Sequence, residues 1–171
     1  MAKQIMAIIS LSIFALLASL AVRAWRKRSY DQAAEFTAPL EALEFFGEVL
    51  AQAKALYVAT TRGTNHLERI NAYGLGARGF AQVLVFSEGL LIVRQGERPL
   101  AIERAQLTAV EFSQATIDKA VEPDGLLSVA WYQDSVSLAT QLRIVETGDR
   151  KAVSSALKEI IESNKQREVI Q

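Results

Sequence analysis

A mainly β (α+β) domain carried behind a single membrane-spanning helix is the architecture that this 171-residue sequence predicts. Three observations predict it. Residues 5–22, IMAIISLSIFALLASLAV, run for eighteen positions without a charge. Residues 55–144 break into six to eight short alternating or β-branched runs separated by turn signals. A single amphipathic stripe then follows, with Val153, Leu157, Ile160 and Ile161 on one side of a helix.

The apolar run comes first. As a helix it rises roughly 27 Å, close to the ~30 Å hydrocarbon core of a bilayer. The cluster Arg23, Trp25, Arg26, Lys27 and Arg28 follows at once. Trp25 suits the headgroup level, and Arg23 can turn its guanidinium outward. Only Lys3 and the amino terminus precede the run. The positive-inside rule therefore places the N-terminus outside and the rest of the chain in the cytoplasm, at the cell membrane. A competing reading is a secreted β domain released after cleavage near Ser19-Leu20-Ala21, a small-x-small sequence. Against cleavage stand the single lysine ahead of the run, its length, and the basic cluster behind it.

The net charge of zero averages two unlike pieces. Residues 1–28 hold five of the nineteen basic residues and none of the nineteen acidic ones. The remaining 143 residues thus carry 14 basic against 19 acidic side chains, a net of −5. One domain's worth of chain is enough for a proper core. Its acidity argues against nucleic acid, whose binding rests on neutralised phosphates.

Along the chain, residues 1–28 form the anchor and its basic flank, and 29–54 a juxtamembrane linker and lead-in. Residues 29–38 show no period and read as linker. Residues 39–53 space Leu40, Leu43, Phe46 and Leu50 near a helical period, so a short helix or an irregular lead-in strand is expected there. The β domain with its closing helix is assigned to 55–164. Its expected strands lie at 55–61, 66–73 (or a helical turn), 80–86, 90–94, 99–102, 107–112, 126–132 and 135–144. Turns are expected at 62–65, 87–89, 95–98, 122–125 and Gln133-Asp134. In the last strand Val136, Leu138, Leu142 and Ile144 should face one way, and Ser137, Gln141 and Arg143 the other. Thr147 or Asp149 can cap the helix, and 165–171 has no stripe and should fray. Seven strands cannot close a small barrel without an open corner, and a helix across that corner buries the core. That order of elements is the logic of a pleckstrin-homology (PH)-like antiparallel barrel or sandwich.

Residues bearing chemistry are few. Gly74-Leu75-Gly76-Ala77-Arg78-Gly79 spells G-x-G-x-x-G, but a dinucleotide fold needs a helix to follow it. The next residues are β-branched and aromatic, so the glycines are read as permitting a tight loop. Glu97, near the offset of a ribose carboxylate, gains nothing in that context. Arg62, Arg69 and Arg78 bracket the first loop of the barrel and are the candidate anionic-ligand contacts, against a plain reading as solvated charge. His66 is the lone histidine, and cysteine is absent, which leaves no zinc set and no base for a nucleophile. No catalytic, cofactor-binding or metal-ligating residue is assigned, and the chain is expected not to be an enzyme. Trp131 and Tyr132 are read as core and rim residues.

Three segments carry a resemblance: Tyr57-Val58-Ala59-Thr60-Thr61, Leu67-Glu68-Arg69-Ile70 and Ala72-Tyr73-Gly74-Leu75-Gly76-Ala77-Arg78. Together they resemble an actinobacterial family of membrane-anchored proteins with a PH-like domain. Its members are often labelled transporters, and their genes tend to lie among those of pyrimidine biosynthesis. The resemblance implies a single N-terminal span and a PH-like fold, and brings no catalytic residues with it. One span offers no substrate path, so the transporter label does not suit this chain. The expectation is a cytoplasm-facing, membrane-anchored, non-catalytic domain that scaffolds or recruits a protein partner. A sensor of an anionic lipid headgroup is the alternative. The expected partners are the bilayer through residues 5–22, an unknown protein, and a second copy of the chain.

Overall fold

The computed structural model describes residues 2–63, 65–113 and 125–170. Helix α1 spans Ala2–Ala33, 32 residues rather than the eighteen of the apolar run. It continues straight through the basic cluster and the first residues of the expected linker. Gln and Ala are good helix formers, and nothing from Ser29 to Ala33 breaks the helix. All of its large apolar side chains between Ile5 and Val22 are exposed, on a helix long and apolar enough to cross a membrane.

Between residues 39 and 48 the irregular lead-in forms, the second of the two expected alternatives, and not the short helix. Leu40 makes a single antiparallel bridge with Ala101, and Leu43 is buried against Phe86 and Ala101. The apolar spacing there serves a lead-in that lies across the sheet. Strand β1 then runs Val49–Arg62, starting six residues earlier than the 55–61 expected. Strands β2 (Asn65–Arg69), β3 (Gly79–Phe86), β4 (Gly89–Arg94) and β5 (Leu100–Glu103) follow. Strands β6 (Leu107–Ser113), β7 (Leu126–Gln133) and β8 (Val136–Ile144) complete the set. Segment 66–73 is split into β2 and a 3-10 turn at Ala72–Gly74. Residues 122–124 of one expected turn, and Thr64 of another, lie outside the described residues.

The strand order is β5-β4-β3-β1-β8-β7-β6, all antiparallel, with β2 pairing the far end of β1. Long β1 is bulged between Tyr57 and Ala59, which lets it bend through the sheet. The β7–β8 hairpin turns on Asp134 and Ser135, one residue later than expected, with Asp134 at φ 54. An aspartate tolerates that left-handed conformation, and a two-residue turn of this kind matches the strand twist.

The curved sheet encloses a core of Val83, Val85, Leu90, Ile92, Leu127, Val129, Trp131, Leu138 and Leu142. Helix α2, Thr147–Ile170, closes it by packing on β1 and β6. Its stripe Val153, Ala156, Leu157, Ile160 and Ile161 is buried as the periodicity requires. The expected fraying from residue 165 is not seen; the helix continues to Ile170. In β8, Leu138, Leu142 and Ile144 face the core as expected, and Arg143 points out. Trp131 is fully buried and Tyr132 stands at the rim.

Candidate functional site

One end of the barrel gathers most of the polar chemistry. Four pieces of chain meet there: the segment leaving α1, the loop between β1 and β3, the β4–β5 turn, and the β7–β8 turn. Two of them, the β1–β3 loop and the β7–β8 turn, clamp the α1 exit. The amide of buried Gln32 donates to the Arg69 carbonyl at 3.1 Å and accepts from the Asn71 N–H at 2.7 Å. The Tyr73 hydroxyl lies 3.0 Å from both the Ala33 and Phe36 carbonyls, and its ring meets Phe36 edge-on at 5.6 Å. Farther along, the Thr37 N–H donates to the Asp134 carboxylate at 2.7 Å, and Gln133 donates to the Thr37 hydroxyl at 2.9 Å. The stretch expected to be a loose linker is therefore built into the domain.

Tyr73 adopts φ 55 to reach those carbonyls, and Gly74 follows at φ 70. A non-glycine residue there is uncommon and costs of order 1 kcal/mol or more, which the bonds to α1 offset. Of the three motif glycines only Gly74 needs positive φ. At Gly76 the constraint is space, since a Cβ would meet the Asn71 side chain at 2.7 Å and the Ile70 carbonyl at 2.9 Å. Strand β3, not a helix, follows Gly79, so no helix N-terminus awaits a pyrophosphate.

The three predicted arginines sit in different settings. Arg62 is ion-paired with Glu35 at 2.6 Å and Glu68 at 3.2 Å, and its pKa is raised further, chiefly by the hydrogen bond it donates to Glu35. Arg69 neighbours it across the β1–β2 ladder, where Thr61 pairs with Arg69. The Arg69 charge acts on the buried Tyr57 phenol. Arg78 is exposed one residue before β3, with no hydrogen bond or ion pair to a described residue. His66 is exposed on β2.

The cation that sequence reasoning missed is Arg94, at the end of β4. Only 6% of it is exposed, and among the described residues it is the one charged side chain in the buried set. Its Nε and Nη2 donate to the Arg98 carbonyl at 3.0 and 2.7 Å, and Nη1 donates to the Gly74 carbonyl at 2.7 Å. The guanidinium lies 4.9 Å from the centre of the Tyr57 ring. A chain of buried hydroxyls leads inward from there. Tyr57 donates to the Leu75 carbonyl at 2.8 Å and lies 2.6 Å from the Thr60 hydroxyl, itself 2.8 Å from that of Thr140. The Trp131 indole donates to Thr140 at 3.0 Å. Each hydroxyl can thus accept once and donate once, so the network is satisfied. Burial raises the Tyr57 phenol to about 12, against smaller opposing effects of Thr60 and Arg94.

Beside Arg94 opens a cavity of about 350 Å³ lined by Pro39, Glu41, Tyr73, Leu75, Glu97 and Leu100, among others. A second, shallower groove of about 470 Å³ lies on the outer face of β1, β3 and β4. Phe80, Val93 and Val145 expose 69%, 42% and 64% of their surfaces there, beside Lys54, Gln82 and Gln95.

Several solved structures are similar to this chain at low identity. A chain of the 8S snRNP assembly intermediate is 11% identical, with 73% of this chain and 89% of that one covered, at a TM-score of 0.48. Vav1 inhibited by an allosteric inhibitor is 12% identical over 79% of this chain and 34% of that one, at 0.44. The DH/PH domains of p115-RhoGEF are 11% identical over 84% and 41%, at 0.46. This chain spans well under half of the last two. No curated protein matches it. The family model described as Bacterial PH domain-like matches residues 37–160, from the Thr37 that Asp134 holds to the end of the buried stripe of α2. With most of its length matched, the chain belongs to the bacterial PH-like domain family.

Proposed function

We propose that this protein is a single-pass membrane protein whose PH-like domain recruits or scaffolds a protein partner on the cytoplasmic face, without catalysis. The outer-face groove is the observation that carries the reading. Phe80, Val93 and Val145 form an exposed apolar patch on a sheet whose other outer end, at Leu43 and Phe86, is covered by the lead-in. Contiguous exposed apolar surface of this kind marks contact sites for other molecules. Anchoring is supported by the exposed apolar run of α1 over residues 5–22, and orientation by Arg23, Arg26, Lys27 and Arg28. The headgroup-sensor alternative has less support, because Arg62 already faces Glu35 and Glu68.

The absence of cysteine makes the test clean. Ala2→Cys should react with a membrane-impermeant maleimide on intact cells, and Lys158→Cys only after permeabilisation. Cross-linking in membranes should capture a protein, and Phe80→Asp should remove that capture. Labelling of Lys158→Cys on sealed cells, or the domain free in the medium, would overturn the reading.

A further inference from the structure

Arg94 is a buried cation that makes no ion pair among the described residues. Among the described residues no carboxylate lies within 4.0 Å of it, and its bonds go to neutral carbonyls. Buried charges are ordinarily paired, since sequestering an ion from water is costly. Three of the five guanidinium N–H groups go to carbonyls and the guanidinium also acts on the Tyr57 hydroxyl, so its donors are not all used. The cavity of about 350 Å³ lies against it, with Pro39, Leu75, Pro99 and Leu100 as apolar walls.

We propose that this cavity receives one carboxylate group of a partner protein, a chain end or an acidic side chain, on Arg94. This rests on the reading of the domain as a protein-recruiting module. The lining selects the ligand's charge. Glu41 and Glu97 face the same cavity, and Glu41 is already balanced by Arg98 at 3.0 Å. Two cations and two carboxylates therefore surround the space before a ligand arrives. A carboxylate adds one negative charge opposite Arg94. A phosphate dianion adds two beside Glu97, where like charges repel. Planar guanidinium N–H groups also suit a planar carboxylate. The apolar walls accept the aliphatic carbons that adjoin it.

The full chain in nanodiscs can be titrated with four probes while the Gly74 and Leu75 amides are followed by NMR. The probes are acetyl-Gly-Gly-Leu, its C-terminal amide, acetyl-Gly-Glu-Gly-amide and inorganic phosphate. The free tripeptide or the glutamyl peptide should shift these signals, and which of them does so identifies the source of the carboxylate. The amide and phosphate should not. Arg94→Lys should weaken binding about tenfold or more. Since that variant removes internal bonds and can unfold, Glu97→Gln, at an exposed position, gives the second reading. It should tighten carboxylate binding several-fold and admit phosphate. Phosphate binding to the unaltered chain as tightly as carboxylate, no response to any carboxylate, or a Glu97→Gln chain identical to the parent would overturn the proposal. Carboxylate binding without any captured protein would uphold the site and sink recruitment. Capture undiminished by a folded Arg94→Lys chain would do the reverse.

Discussion

The two helices of this protein place similar apolar residues in opposite surroundings. Between Ile5 and Val22, α1 is apolar on every side, and its apolar side chains stay exposed. α2 confines Val153, Leu157, Ile160 and Ile161 to one stripe and buries all four, with Lys158, Glu159 and Glu162 outside. A uniform surface suits hydrocarbon, whereas a stripe suits a core with water behind it. Only the last turn of α1 touches the domain, and there its character changes: Gln32 is buried and hydrogen-bonded on both ends of its amide.

The strongest test of that contrast is truncation of one leucine in each helix. Leu157→Ala in α2 should cost the domain about 2–5 kcal/mol, because Leu157 is fully buried. Leu16→Ala in α1 should leave domain unfolding unchanged. Denaturant unfolding of the chain in mild detergent measures both, and equal effects would break the distinction. The interior that α2 closes contains Tyr57, whose phenol is held near 12 against an ordinary value of 10. The folded state favours the neutral phenol, so its contribution is complete below pH 10, where both states are protonated. It is lost as pH rises from 10 to 12, while the unfolded chain ionises first. That loss should approach about 2–3 kcal/mol. Tyr57→Phe should flatten this part of the pH–stability curve even though it lowers stability overall.

Smaller effects probe the joint. Gln32→Ala leaves the Asn71 N–H without its acceptor and should cost about 1–2 kcal/mol locally. Faster hydrogen exchange at residues 32–37 and 69–73, with the β-strand amides still protected, is the expected signature. The least effect belongs to Glu35→Gln. The Glu35–Arg62 pair is partly exposed, and such pairs contribute about 0–1 kcal/mol. Its removal should leave unfolding nearly unchanged while lowering the Arg62 pKa.

Legibility followed the range of each interaction. Hairpin β7–β8, the β3–β4 turn and the α2 stripe rest on neighbours a few residues apart, and were read closely. The lead-in was ambiguous because Leu40, Leu43 and Phe46 fit a helical period. Their actual partners, Ala101 and Phe86, lie forty or more residues away in sequence. Arg62, Arg69 and Arg78 attracted attention by their place around a loop, yet Glu35 neutralises one of them from the far side of the chain. Arg94 ended an ordinary alternating strand and gave no local sign of burial. A weak signal was available, since a charge at an inward position of β4, two residues after Ile92, breaks the pattern of the strand.

Periodicity and composition alone determined the membrane-length helix, the succession of antiparallel strands and the closing amphipathic helix. These depend on where apolar groups fall along a local backbone, which a chain carries wherever it folds. Tertiary structure alone decided that α1 ends in a clamp, that the lead-in lies on the sheet, and that an arginine is enclosed beside a cavity. The first two depend on atoms brought together across thirty or more residues and the third on Gly74, twenty residues before Arg94, and no local pattern encodes the distance between them.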